Sequence, residues 1–197
     1  MERGQGEHDH GLGQAKEVAL MSDFEDLDFA IHRSRRYHEK LAAFFAAWRD
    51  RMRVVTAVAG SAAFFVVVGK YQHAAEVLTA FIGLWAILDI IIMPDKKHDA
   101  HNALSKQFTA LAAKIESSPK TEGALRDLKT ERLLIEVNEP PCKRLVDIEA
   151  RNDECRAREF PPERQAPLTR FQKWVGYYGW DWDLHRLEQW KAEQGRH

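Results

Sequence analysis

Two apolar runs stand out near the middle of the chain: 54–69 (VVTAVAGSAAFFVVVG) and 74–93 (AAEVLTAFIGLWAILDIIIM), separated by Lys70-Tyr71-Gln72-His73. A helix that spans a bilayer takes about 20 mainly apolar residues. The first run offers no polar face in any helical register. The pattern therefore predicts transmembrane helices over about 50–69 and 74–93, joined as a hairpin. Arg53 and Lys70 bound the first run, where long basic side chains can reach an interface, and Trp48 and Tyr71 sit where interfacial aromatics lie. The second run carries Glu76 near the loop and Asp89 about one turn from Pro94. An Asp at the bilayer centre costs about 2.5–3.5 kcal/mol, less near the edge. Ile87, Leu88, Ile90, Ile91 and Ile92 offset it.

The flanking positions follow helical periods. Phe24, Leu27, Ile31, Ser34, His38, Leu41, Phe45 and Trp48 alternate in steps of three and four, a heptad seam. This predicts a helix from about Asp23 that runs on through Met52 and Val55 into the first apolar run, with His38 as a hydrogen-bonded bundle position. Within the runs, small residues recur: Ala57 with Ser61, Ala59 with Ala63, then Ala80, Gly83 and Ala86. Such faces let helices approach closely in lipid. Asp89 lies three residues from Ala86 and seven from Ile82, on the side of helix neighbours. Asp89, Ala86, Gly83, Ala59 and Ala63 are thus the candidate pore or interface positions. For Asp89 two readings stand: a polar group lining a permeation path, or a marker of the helix's cytoplasmic end.

After Pro94, helices are expected over about 96–117 (Leu104, Phe108, Leu111, Ile115), from 121 or 122 to 138 (Leu125, Leu128, Ile135), and over 142–159 (Leu145, Ile148, Asn152, Cys155). Asn152, like His38, occupies a seam position, where a buried polar residue sets register and oligomer state. The fold class is all-α: a two-helix transmembrane hairpin with long flanking helices that form a bundle. Residues 1–22, rich in Gly and charge, read as a disordered tail, and 23–160 as the helical domain. Residues 161–197 form a Pro-containing linker and an aromatic-rich extension (Phe171, Trp174, Tyr177, Tyr178, Trp180, Trp182) closed by a short helix over about 183–192. The extension is expected to pack on the bundle or on a neighbouring subunit.

Charge and chemistry narrow the function. Charged residues make up 30% of the chain at a formal net charge of −1, with both signs interspersed, so no one-signed surface for nucleic acid is expected. No apolar core with a small-residue cleavage site opens the chain. Cys142 and Cys155 read as reduced thiols. His8-Asp9-His10 lies in the tail, and His98 and His101, with Asp95 and Asp99, lack a partner motif; neither metal nor cofactor is expected. Gly-x-Ser-x-Gly, HExxH and CxxC are absent, which argues against an enzyme. Arg49, Arg51, Arg53, Lys96 and Lys97 flank the hairpin while Lys70 alone sits in its loop, placing both termini in the cytoplasm.

The layout resembles the SLATT domain family, bacterial two-transmembrane-helix effector domains of nucleotide-linked defence systems. The resemblance rests on Arg36-Tyr37-His38 to Trp48-Arg49 leading into a two-span hairpin, a helix, a second helix ending Glu136-Val137-Asn138-Glu139-Pro140-Pro141, and a helix with Asp147 and Ala150-Arg151-Asn152. It covers roughly residues 25–160. It implies a homo-oligomeric effector of the bacterial inner membrane that forms a pore or perturbs the bilayer in anti-phage defence. This chain departs from the usual arrangement in carrying no sensor domain, Gly-rich phosphate loop or nucleotidyltransferase pattern, which implies a separate sensor protein. Two alternatives are a non-permeating membrane scaffold that recruits a partner through its bundle, and a soluble helical oligomeric adaptor.

Overall fold

The computed structural model describes residues 5–59, 61, 69, 72–180 and 184–194, and the regular elements among them are all helical. They are α1 (Gln5–Ala59), α2 (Gln72–Ile92), α3 (Pro94–Ser117), α4 (Glu122–Glu136), α5 (Arg144–Ala157), a 3₁₀ turn (Pro162–Arg164), α6 (Arg170–Gly176) and α7 (His185–Gln194). α1 starts at Gln5, so residues 5–22, expected from composition to be a disordered tail, are helical, and residues 1–4 of that expectation lie outside the described residues. No proline precedes Pro94. Once a packed turn around Phe24 has nucleated the helix, each further residue adds a hydrogen bond at little cost, and the glycines are absorbed. Elsewhere the ends match local chemistry. The Thr121 side chain caps α4 by accepting from the Ala124 N–H. Pro94, whose missing N–H costs nothing at a helix start, opens α3.

The chain forms two compact units: Met1–Glu39 with Ala103–His197, and Lys40–Asn102. In the first unit, α1, α3 and α4 share one core. α1 contributes Phe24, Leu27 and Ile31; α3 contributes Leu104, Phe108, Leu111, Ala112 and Ile115; α4 contributes Leu125, Leu128 and Ile135. These are the seams read from periodicity. A second, smaller core joins Leu145, Ala166, Val175 and Leu187, so residues 158–169, α6 and α7 fold back onto α5. Gly176 permits the closest approach: a Cβ there would lie 2.6 Å from the Leu145 Cβ, so any side chain would push α6 off α5. α5 ends with Glu159 in the left-handed region (φ 56°) and the Phe160 N–H donating to the Cys155 carbonyl at 2.9 Å.

In the second unit the end of α1 meets α2 and the start of α3. Trp48 stacks on Trp85 at 5.7 Å, Phe45 stacks on His101 at 5.8 Å, and a His98 Nδ1–Ala42 carbonyl contact of 3.0 Å joins α3 to α1. α2 gives way to α3 at Met93, which adopts φ 49°; a left-handed non-glycine residue costs about 1–2 kcal/mol. The Met93 N–H donates to the Asp89 carbonyl and the Met93 carbonyl accepts from Lys97, which holds the bend. Among the described residues no helix is long and apolar enough to cross a membrane. Residues 60 and 62–68 of the first apolar run lie outside them, as do the side chains at 74, 75 and 78 of the second.

Asn152 pins the fold-back of the first unit. Its Nδ2 donates to the Ala166 carbonyl and its Oδ1 accepts from the Ala166 N–H, both at 2.8 Å and buried. Asn152→Ala strands both backbone groups, each costing about 1–3 kcal/mol. Urea denaturation of the full chain should show a loss of about 2–4 kcal/mol, and trypsin should cut more readily after Arg164. An unchanged midpoint and digest would refute this role.

Candidate functional site

The apolar hairpin sorts into two faces on α2. Ile82, Trp85, Leu88, Asp89 and Ile92 are half-buried, whereas Val77, Phe81, Leu84, Ile87, Ile90 and Ile91 are exposed, Val77 and Ile90 to about 70%. Val54 and Val58 are likewise exposed near the end of α1. Large exposed apolar patches are unusual on a protein that meets only water. Asp89 sits on the half-buried side. Its Oδ1 is enclosed and has no hydrogen-bond partner among the described residues, and the same holds for the Trp85 Nε1 one turn earlier. Gly83 and Ala86 lie on the exposed side, and a Cβ at Gly83 would meet nothing within 4 Å. Ala59 is half-buried at the end of α1; Ala63 lies outside the described residues.

The two expected register residues both lie in the first unit, and both bind within the chain. Asn152 bonds Ala166, as above. His38 is fully buried, stacked on Phe108 with centroids 5.6 Å apart, and its Nε2 lies 3.1 Å from Glu139 Oε1. It thereby ties α1 to the Pro140-Pro141 bend. Neighbouring Tyr37 accepts the Lys143 N–H at 3.0 Å, at the first turn of α5. Burial raises the Tyr37 hydroxyl far above its ordinary range, with the Lys143 N–H opposing. Cys142 is exposed as a residue, yet partial burial and then the Asp147 carboxylate push its thiol up. His98 and His101 are engaged by Ala42 and Phe45, and among the described residues no group of three metal-ligating side chains occurs.

What periodicity missed is an ionic latch between α1 and α5. Arg33 grips Asp147 with two hydrogen bonds of 2.8 and 2.7 Å. Glu154, almost wholly buried, accepts from Arg36 and Arg158, both at 2.7 Å, and Arg158 also reaches Asp28 at 2.5 Å. Phe29 and Phe160 stack beside it at 6.1 Å under the Arg158 guanidinium. The signal in the sequence was a charged stripe, Asp147, Glu154 and Arg158 in steps of seven and four, opposite Asp28, His32 and Arg36 in steps of four.

Burial alone would raise the Glu154 pKa, but hydrogen bonds from Arg158 and Arg36 outweigh it and hold the carboxyl below its usual 4.5. A folded pKa below the unfolded one adds stability above about pH 4.5 and loses it as pH falls through the folded value. Glu154→Gln should therefore cost about 3 kcal/mol at neutral pH, and its denaturation curve should converge on that of the parent in acid. Parallel curves from pH 7 to pH 3 would contradict the latch.

Comparison of the chain with family models, with curated proteins and with solved structures finds no match.

Proposed function

We propose that the chain is an oligomeric membrane effector whose apolar hairpin enters the bilayer and opens a permeation path or perturbs the membrane. The observation that carries this reading is the exposed row Val77, Phe81, Leu84, Ile87, Ile90 and Ile91 on α2, with Val54 and Val58 on α1. α2 has 21 residues, about 31 Å of helix at 1.5 Å per residue, close to the hydrocarbon thickness of about 30 Å. Read in the sequence, the run 74–93 adds Ala74, Ala75 and Leu78 to the apolar residues described. Asp89, on the opposite side of α2 from that row, is the candidate polar group of the path: an enclosed carboxylate oxygen without a partner is costly in an apolar setting and gains from a second chain or a passing cation. Gly83 and Ala86 leave room for another helix to approach.

The resemblance to SLATT domains supports the same reading, and with it we propose a role in bacterial defence at the inner membrane, with both termini cytoplasmic and a separate sensor as trigger. A scaffold that recruits a partner without permeation shares the hairpin and differs only in leak. The test is alkaline carbonate washing of cell membranes, then dye release from vesicles carrying the purified chain. Retention with leak, and an ion leak altered by Asp89→Asn or Asp89→Leu, is the expected result. Retention without leak under any trigger favours the scaffold. Extraction into buffer without detergent rejects membrane insertion.

A further inference from the structure

Within the first unit, two adjoining hollows of about 200 and 310 Å³ open between α5 and α7 and share Asp147, Ile148, Leu187 and Lys191. The floor is apolar, made by Ile148 and Leu187 of the smaller core. Trp190 forms a wall, fixed by its indole N–H donating to the Glu163 carbonyl at 3.2 Å.

The charge around this groove is lopsided. Arg33 and Asp147 neutralise each other through their paired hydrogen bonds. Arg151 lies over the Trp190 ring, 5.0 Å from its centroid, and donates to a neutral carbonyl, that of Arg164, at 2.8 Å. Arg144 and Lys191 are exposed at the rim, and no described residue forms an ion pair with either. Among the described residues that line the groove, one uncommitted carboxylate, Glu188, stands against these three cations. Other arginines of this unit, such as Arg36, Arg132, Arg156 and Arg158, each hold an acid. Unmatched cations gathered on an apolar hollow are what an anionic ligand with an apolar body requires: guanidinium forks fit carboxylate and phosphate oxygens, and the floor takes the body. A volume of about 310 Å³ is at the small end of ligand pockets, so the body is one or two rings in size.

We propose that the groove between α5 and α7 binds a small organic anion, a phosphate monoester or carboxylate, with its apolar part on Ile148 and Leu187 beside Trp190 and its charge met by Arg144, Arg151 and Lys191. This does not rest on the membrane reading. The same chemistry can arrive as a free ester or as a lipid headgroup, and the test separates the two.

The full chain in detergent is titrated calorimetrically with 1-naphthyl phosphate, 1-naphthol, inorganic phosphate and dihexanoyl phosphatidic acid. Naphthyl phosphate should bind, and each half alone should bind at least tenfold more weakly. Binding confined to the phosphatidic acid makes the ligand a lipid headgroup. In either case Arg144→Glu with Lys191→Glu should weaken binding about 100-fold, a factor of ten per lost contact of about 1.4 kcal/mol. Lys106→Glu, an exposed cation on α3, should leave it unchanged. Both groove positions are exposed, so the denaturation midpoint should hold and separate lost binding from lost fold. No binding of any probe at millimolar concentration, or equal binding by the double variant, overturns the proposal.

Discussion

Every other feature of this protein has to accommodate a helix that is apolar on nearly all sides. Six large apolar side chains of α2, from Val77 to Ile91, are exposed. Covering one such side chain is worth about 1.5–3 kcal/mol, so leaving six uncovered forgoes a free energy comparable to the whole stability of an ordinary domain, about 5–15 kcal/mol. The contact with the end of α1 uses the other side of the helix, where Trp85 stacks on Trp48 at 5.7 Å. Under the proposed reading, the exposed side meets lipid. On the half-buried side the Asp89 Oδ1 is enclosed without a hydrogen-bond partner among the described residues, which is costly in an apolar setting.

The first unit solves the opposite problem. Its helices are rich in charge, and it closes with two modest apolar cores and a set of interlocked ions. Glu154 is stable as a buried carboxylate because two guanidinium groups reach it at once. Asn152 performs a similar service for neutral groups, satisfying the Ala166 N–H and carbonyl where residues 158–169 cross α5. These directional bonds fix the α1–α5 contact and the path of the C-terminal segment, which apolar packing alone would specify less sharply.

Much of this was legible in the sequence because one side of a helix repeats every three or four residues. Phe24, Leu27, Ile31, His38, Leu41 and Phe45 were read from spacing, and all are buried. Leu104, Phe108, Leu111 and Ile115 were read the same way. What could not be read depends on pairing between distant positions. Arg33 and Asp147 are 114 residues apart, and no local rule distinguishes that pair from the solvated charges around it. Asn152 looked like a register device because its position in the seam was visible while the return of Ala166 onto α5 was not. The helical course of α1 from Gln5 is hidden for another reason: Gly-rich composition lowers helix propensity, but propagation from an anchored turn overrides it. The groove beside Trp190 leaves no local mark in the sequence, because α5 and α7 supply its cations separately and neither helix is markedly basic alone.

The central claim is that the exposed face of α2 lies in lipid. It is tested most directly with a nitroxide label at Ile87→Cys, in a chain whose two cysteines are replaced by alanine, reconstituted in vesicles and probed by spin relaxation. The account predicts that oxygen, which concentrates in the hydrocarbon, relaxes the label far more than a water-soluble nickel chelate does. A label equally accessible to both, as expected for an exposed site in water such as Lys106→Cys, would contradict it.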